Sequence, residues 1–178
     1  MRPDPSARRR LTPLVALALA AVPATTLAAC GDDDPGGGLS ERRAEVAERG
    51  AQVMPFDLDA TTHVFEPRDD GLVQRVVADD PGDSEQVGLV REHLADEAAR
   101  FAAGDLGDPA AIHGRDMPGL ADIEAGHDRI DVRYRDLPGG ASITYTTADP
   151  DLVGALHAWG DAQVSDHGAH AEHGGDGA

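Results

Sequence analysis

Residues 130–145, IDVRYRDLPGGASITY, carry the strongest structural signal in this chain. Apolar side chains alternate with polar ones on both sides of a Leu-Pro-Gly-Gly sequence at 137–140. Such alternation gives each of two strands one apolar face, and the glycines let the chain reverse between them. The stretch therefore predicts a β-hairpin that buries one of its faces.

A second hairpin is predicted upstream of this one. Residues 61–65, TTHVF, are β-branched and aromatic, and residues 72–77 alternate as a partner strand. The sequence Arg-Asp-Asp-Gly at 68–71 is typical of a turn and separates the two segments. The two hairpins lie about sixty residues apart in the chain.

A helical pattern follows each hairpin. Apolar residues recur at spacings of three and four between residues 84 and 104, and again between residues 150 and 167. The order of elements is therefore ββα, insert, ββα. It predicts an α+β fold with a four-stranded, mainly antiparallel sheet, two helices on one face and a long insert between the two units.

The insert, residues 104–126, is the first place to look for function. It contains only one short helical segment, at 120–125, and loops this long in compact domains are usually functional or disordered. The Gly and Pro positions in residues 112–120, IHGRDMPGL, predict a tightly shaped turn.

The first thirty residues have the order of a bacterial lipoprotein signal. Three arginines at 8–10 precede an Ala/Leu-rich stretch at 11–27, and Leu-Ala-Ala-Cys at 27–30 resembles a lipobox. We expect residues 1–29 to be a signal peptide and Cys30 to carry lipid, including palmitate, which anchors the protein at the extracytoplasmic face of the cell membrane. An ordinary signal peptide is the alternative, and export by the general or the twin-arginine route stays open.

Composition divides the remainder into three parts. Residues 30–52 are rich in Gly and Asp and predict a flexible acidic tether, with a short helix at 40–49. Residues 53–167 hold the strand and helix patterns and predict one compact domain. Residues 168–178 are Gly, Ala, His and acid, and predict a disordered tail whose histidines, together with His167, bind divalent metals only loosely.

The charge of the chain excludes one class of partner. Its 178 residues contain 15 cationic side chains, all arginine, and 33 acidic ones, for a formal net charge of −18. Nucleic acid binding needs clustered cations on the protein, so we expect no nucleic acid partner. Cys30 is the only cysteine, and its lipidation leaves no thiol for a disulfide, a thiolate ligand or a nucleophile.

His113 and Met117 are the first candidate metal ligands, and both lie in the insert. Imidazole suits copper, zinc and nickel, whereas a thioether favours softer ions, above all Cu(I). A loop shaped by Gly and Pro can present both side chains to one ion. In the alternative interpretation, Met117 packs in the core and His113 bonds a backbone carbonyl.

Three further histidines are candidates to complete the site. His63 occupies an inward strand position, which is also common for a structural histidine. His93 and His157 stand one helical turn before Glu97 and Asp161, so each pair is either a metal half-site or an ordinary surface ion pair. No sequence motif of a known hydrolase, phosphate loop or dinucleotide fold occurs in the mature chain.

Four segments of the domain resemble a known group of proteins. They are MPFDLDATTHVF at 54–65, AIHG at 111–114, DMPGL at 116–120 and LHAWGDAQ at 156–163. They resemble small exported bacterial proteins that are often labelled aspartate carbamoyltransferase, and the resemblance implies a compact domain with a shaped insert. The label implies transfer from carbamoyl phosphate, but the chain has neither the Ser-Thr-Arg-Thr loop of the transferases nor any lysine.

The sequence therefore favours a binding protein over an enzyme. We expect a membrane-anchored exported lipoprotein that holds a transition-metal ion, copper-like, through His113 and Met117 with help from His63, His93 or His157. The alternative is a non-metal interaction or structural lipoprotein whose insert contacts another envelope protein. An enzyme such as the labelled transferase is the least favoured interpretation.

Overall fold

The computed structural model describes residues 35–175. The predicted signal peptide at 1–29, the lipidation site Cys30 and the start of the predicted tether lie outside the described residues. The elements in chain order are α1 (Pro35–Val53), β1 (Thr61–Arg68), β2 (Gly71–Ala78), α2 (Ser84–Ala102), α3 (Gly107–His113), α4 (Leu120–Gly126), β3 (Asp131–Leu137), β4 (Gly140–Thr146), α5 (Pro150–His167) and β5 (Ala171–His173).

Both predicted hairpins are present, and they supply four neighbouring strands of the sheet. β1 pairs antiparallel with β2, β3 pairs antiparallel with β4, and the second strands of the two hairpins pair with each other. β2 and β4 each begin with a glycine, at Gly71 and Gly140. A Cβ at these positions would lie 1.9 and 2.0 Å from a carbonyl oxygen of the opposite strand, so the close approach of β2 and β4 requires glycine at both.

The sheet is mixed and has five strands, in the order β3-β4-β2-β1-β5, rather than the four antiparallel strands that the sequence predicted. The fifth strand comes from the predicted disordered tail, whose residues Ala171–His173 pair in parallel with β1. The prediction of a disordered tail was wrong there, because a segment of three residues is too short to show a hydrophobic pattern of its own. They become a strand by pairing with the otherwise open edge of β1.

The two long helices, α2 and α5, lie at the predicted positions and pack on one face of the sheet. α2 lies over β3 and β4, whereas α5 lies over β1 and β2, so each helix covers mainly the hairpin of the other unit. Asp83 caps α2, and Asp149 caps α5 ahead of Pro150. The core between helices and sheet contains a cluster of aromatic rings, Phe65, Phe101, Tyr145 and Trp159.

The insert forms two short helices, where the sequence predicted one. α3 buries Pro109 and Ile112, and α4 buries Leu120 and Ile123. Seven residues are too few to reveal a helical period, so α3 was not detected. The described residues therefore contain five α-helices: the two predicted on the sheet, the two shorter ones predicted near 40–49 and 120–125, and α3.

The segment predicted to be a flexible tether forms α1 from Pro35 onward. This helix packs on α3 and α5, although Val46 is its one buried apolar side chain. Arginine side chains bond it to both helices: Arg43 donates to the Ser165 carbonyl and Arg49 to the Ile112 carbonyl. Among residues 35–175, no helix combines the length and the apolar character needed to cross a bilayer.

Candidate functional site

A small cavity lies beneath α2, α3 and α5, against β1 and β2. Its volume is about 20 Å³, which accommodates roughly one water-sized particle. Four of the eight histidines line it, together with two acids, Glu97 and Asp108, and two amides, Gln74 and Gln163. The lining residues are Met54, His63, Phe65, Gln74, His93, Leu94, Glu97, Asp108, Pro109, Ile112, His113, Gln163 and His167.

Secondary structure aims three of these histidines at the cavity. His63 occupies an inward position of β1, between the inward residues Thr61 and Phe65. His113 and His167 are the last residues of α3 and α5. Each helix ends there because the next residue is a glycine with positive φ, +91° at residue 114 and +59° at residue 168.

His113 is held by a buried carboxylate. Its Nδ1 lies 2.9 Å from Asp166 Oδ2, and Arg42 of α1 donates to both oxygens of Asp166 at 2.6 Å. Burial raises the pKa of Asp166, but the bonds from Arg42 and His113 outweigh it and lower the pKa below its ordinary value. Burial lowers the pKa of His113 more than Asp166 and Gln163 raise it. A neutral His113 therefore carries its proton on Nδ1 and a lone pair on Nε2.

His167 is fixed through its other nitrogen. Its Nε2 lies 3.2 Å from Gln163 Oε1, one helical turn earlier on α5. The amide oxygen accepts only, so Nε2 carries the proton and Nδ1 the lone pair. Burial, reinforced by the neighbouring His63 and His113, lowers the pKa of His167 to about 3.

His63 has a buried nitrogen without a partner. No hydrogen bond within the described part of the chain reaches its Nδ1, although the residue is only 2 % exposed. Burial lowers the pKa of His63 to about 4, while a backbone hydrogen bond at His170 raises it. Since Nδ1 has no acceptor among the described residues to which it could donate, we place the ring proton on Nε2, which leaves Nδ1 with a buried lone pair.

The three rings are close neighbours. The centroid of His167 lies 5.2 Å from that of His63 and 5.0 Å from that of His113. Two imidazoles bound to one ion at about 2.0–2.1 Å have ring centroids about 5 Å apart, so the spacing fits a shared ligand. Within residues 35–175, no group of three or more His, Cys, Asp or Glu side chains is placed so that it could hold a metal ion, and the three rings would have to turn to bind one.

A polar chain forms another wall of the cavity. Tyr145 donates to Gln74 Oε1 at 2.8 Å, and the amide of Gln74 hydrogen-bonds to Glu97. Burial raises the pKa of Glu97 to about 7. His93 Nε2 lies 3.9 Å from Glu97 Oε2, so the two predicted partners face the same space without a short hydrogen bond.

Two of the predicted ligands, Met117 and His157, do not line this cavity. Met117 is 4 % exposed and packs in the core, as the alternative interpretation stated. His157 Nε2 lies 3.0 and 2.9 Å from the carbonyl oxygens of Arg68 and Gly71, so it stabilises the β1–β2 turn rather than pairing with Asp161. Loop composition gave no information on which way the Met117 side chain points.

The sequence analysis missed His167 as a member of this cluster. It was assigned to the tail because it follows the last apolar residue of the α5 pattern. Its spacing of one turn from Gln163 was the available signal. Met54 was also missed, since it precedes the first hairpin and belongs to no periodic pattern.

Comparisons of the chain with known protein families, with curated proteins and with solved structures give no match. The resemblance to the proteins labelled aspartate carbamoyltransferase therefore gains no support from them.

Proposed function

We propose that this protein is an exported, membrane-anchored lipoprotein that binds one transition-metal ion through His63, His113 and His167. The observation that carries the proposal is the way in which the nitrogens of these three rings are held. His113 Nδ1 and His167 Nε2 each lie within hydrogen-bond distance of a fixed acceptor, and the Nδ1 of His63 is buried without a hydrogen-bond partner among the described residues. Fixing one nitrogen while leaving the other free is how proteins orient histidine ligands for metals.

A metal ion would satisfy the buried Nδ1 of His63. A buried polar atom without a partner costs about 1–3 kcal/mol, and a bound metal would remove that cost. Protons compete with metals for imidazole, but burial keeps the pKa of His63 near 4 and that of His167 near 3. The site therefore binds without first releasing protons from these two rings at neutral pH.

The donor set defines the class of ion. Three imidazoles, with the carboxyl group of Glu97 on the same cavity, favour divalent borderline metals such as Cu(II) and Zn(II). Met117 no longer argues for Cu(I), although Met54 offers a thioether at the cavity wall. Cu(II) is expected to bind most tightly, because it outranks Zn(II) at nitrogen donors generally.

Membrane anchoring rests on the sequence of the lipobox. Replacing Cys30 with Ala should leave unlipidated precursor in a host that processes lipoproteins. Recovery of the wild-type protein entirely in the soluble fraction would contradict the anchor.

Competitive titration of Cu(II) and Zn(II) tests the site. We expect His63→Val, His113→Asn and His167→Asn each to weaken binding by at least about 100-fold. His173→Ala is the matched control, since His173 is an exposed tail histidine that faces Asp161 at 3.8 Å, and it should leave the affinity within about twofold. Circular dichroism establishes that each variant is folded. Loss of binding in His173→Ala alone would contradict the proposal.

The interaction lipoprotein stays as the second candidate class. The insert itself offers little surface for it, because Ile112, Met117 and Leu120 all point into the core. If the titrations find no metal binding, the open face of the sheet is where a partner should be sought.

A further inference from the structure

The face of the sheet that the helices leave uncovered has a charge opposite to that of the chain. A groove of about 470 Å³ crosses it. Four of the chain's fifteen arginines line this groove, although the chain as a whole carries a formal net charge of −18. The lining residues are Arg68, Val73, Arg75, Arg133, Tyr134, Arg135, Leu137, Ser142 and Thr144.

Strand register aligns two of the arginines on either side of a short hydroxyl residue. Arg75 on β2 stands opposite Ser142 on β4, and Ser142 stands opposite Arg135 on β3. Neighbouring strands are about 4.8 Å apart, so the two arginines begin roughly 10 Å apart with the small side chain of Ser142 between them. Long guanidinium side chains at this spacing can close over one group that rests on Ser142.

Carboxylates neutralise only part of this charge. Glu66 pairs with Arg75 at 2.7 Å and with Arg68 at 3.0 Å, and Asp131 pairs with Arg133. Arg135 has neither a carboxylate nor a carbonyl partner within the described residues. The four arginines and two acids leave a local charge of about +2, concentrated near Arg135 and Ser142.

We propose that this groove binds a phosphate group between the guanidinium groups of Arg75 and Arg135, with the hydroxyl of Ser142 donating from below. A planar guanidinium offers parallel N–H donors that match phosphate oxygens, and two of them balance a doubly charged oxyanion. The groove is larger than bare phosphate, which indicates a phosphate attached to a larger molecule. The site is independent of the proposed metal cavity, because the two lie on opposite faces of the sheet.

The phosphate could be a monoester on a soluble molecule or the diester of a lipid headgroup, and the test separates these sources. The probes are inorganic phosphate, glycerol 3-phosphate and glycerophosphoglycerol, titrated by calorimetry into the full-length lipoprotein in neutral detergent. Tighter binding of glycerol 3-phosphate assigns the monoester, and tighter binding of glycerophosphoglycerol assigns the headgroup; either result supports the proposal.

Two arginine variants decide whether the groove is the site. Arg135→Ala should weaken the binding of the preferred probe at least tenfold. Arg115→Ala is the matched control, because it removes the same charge from an exposed position on the insert and should change the affinity less than twofold. Equal losses of affinity in both variants would overturn the proposal. So would the absence of binding of every probe at 10 mM, which is roughly the weakest affinity of use to a binding site.

Discussion

The two hairpins of the sheet are built alike and differ at their buried positions. When their turns are superimposed, Gly71 of the first corresponds to Gly140 of the second. Gly71 lies against β4, and Gly140 lies against β2. The inward position held by His63 in the first hairpin is then held by Val132 in the second. The same backbone position thus carries an imidazole in one half of the sheet and an aliphatic side chain in the other.

A second inward position follows the same rule. Gln74 of β2 corresponds to Ile143 of β4, which is fully buried. The second hairpin shows that the architecture is satisfied by aliphatic residues at these two places. The polar pair in the first hairpin is therefore not needed to form the fold, and it makes the cavity wall that the proposed metal site uses.

Beside the first hairpin, a buried carboxylate obtains its cationic partner from a helix outside the sheet. Arg42 of α1 neutralises Asp166, which in turn holds His113. Removing it by Arg42→Ala leaves a nearly buried carboxylate without its cation and should destabilise the domain by about 2–3 kcal/mol. Denaturant unfolding monitored by circular dichroism measures this.

Arg43→Ala is the control for that variant, because Arg43 lies on the same helix and, among the described residues, donates to the Ser165 carbonyl and to no carboxylate. Its loss should be below about 1 kcal/mol. Equal, small losses for both arginines would mean that α1 contributes little to the polar side of the core.

Converting Gln74 to the residue of the second hairpin should show that the polar wall is a connected network. Gln74→Ile removes the acceptor of the buried Tyr145 hydroxyl and the donor to Glu97. We expect a loss of about 1–3 kcal/mol in the free energy of unfolding, in spite of the added apolar volume. The double variant with Tyr145→Phe should recover part of it, and failure to recover any would contradict the network.

Acid should destabilise the metal-free protein through its buried histidines. Unfolded histidine has a pKa of about 6.5, whereas burial lowers the pKa of His63 to about 4 and that of His167 to about 3. The unfolded state therefore binds more protons as the pH falls below 6.5, and stability falls with it toward pH 4. Glu97, with its pKa raised to about 7, acts in the opposite direction between pH 7 and 4.5, but it is a single group.

His63→Val, the residue of the second hairpin, should flatten this dependence. The difference in stability between variant and wild type should grow by about 1–3 kcal/mol from pH 7 to pH 4, in favour of the variant. Thermal or urea unfolding across that range measures the difference. Parallel profiles for the two proteins would contradict this prediction, because they would show that unfolding does not change the protonation of His63.

The sequence predicted the parts of the fold that have a hydrophobic period. Both hairpins and the helices α2 and α5 follow from alternation or from spacings of three and four. The docking of α1 and the strand β5 do not, because α1 docks through arginine bonds to carbonyls and to Asp166, and β5 forms only against the edge of β1. Neither kind of contact leaves a periodic trace in the local sequence.

The candidate site was predicted in part for the same reason. His63, His93 and His113 were named from strand position, helix position and insert composition, and all three line the cavity. Met117 and His157 were named on the same grounds and point elsewhere, since spacing alone does not determine which neighbour a side chain meets. His167 required the end of α5 to be known, because the turn at Gly168 decides where its ring lies.

The most direct test of the account is the nitrogen-15 spectrum of the histidine rings, recorded at pH 7 before and after one equivalent of diamagnetic Zn(II). In the metal-free protein the account predicts neutral rings, with protons on His63 Nε2, His113 Nδ1 and His167 Nε2. Zinc should then shift His63 Nδ1, His113 Nε2 and His167 Nδ1 and leave His157 unchanged. Shifts confined to His170 and His173, or opposite tautomers in the metal-free rings, would contradict it.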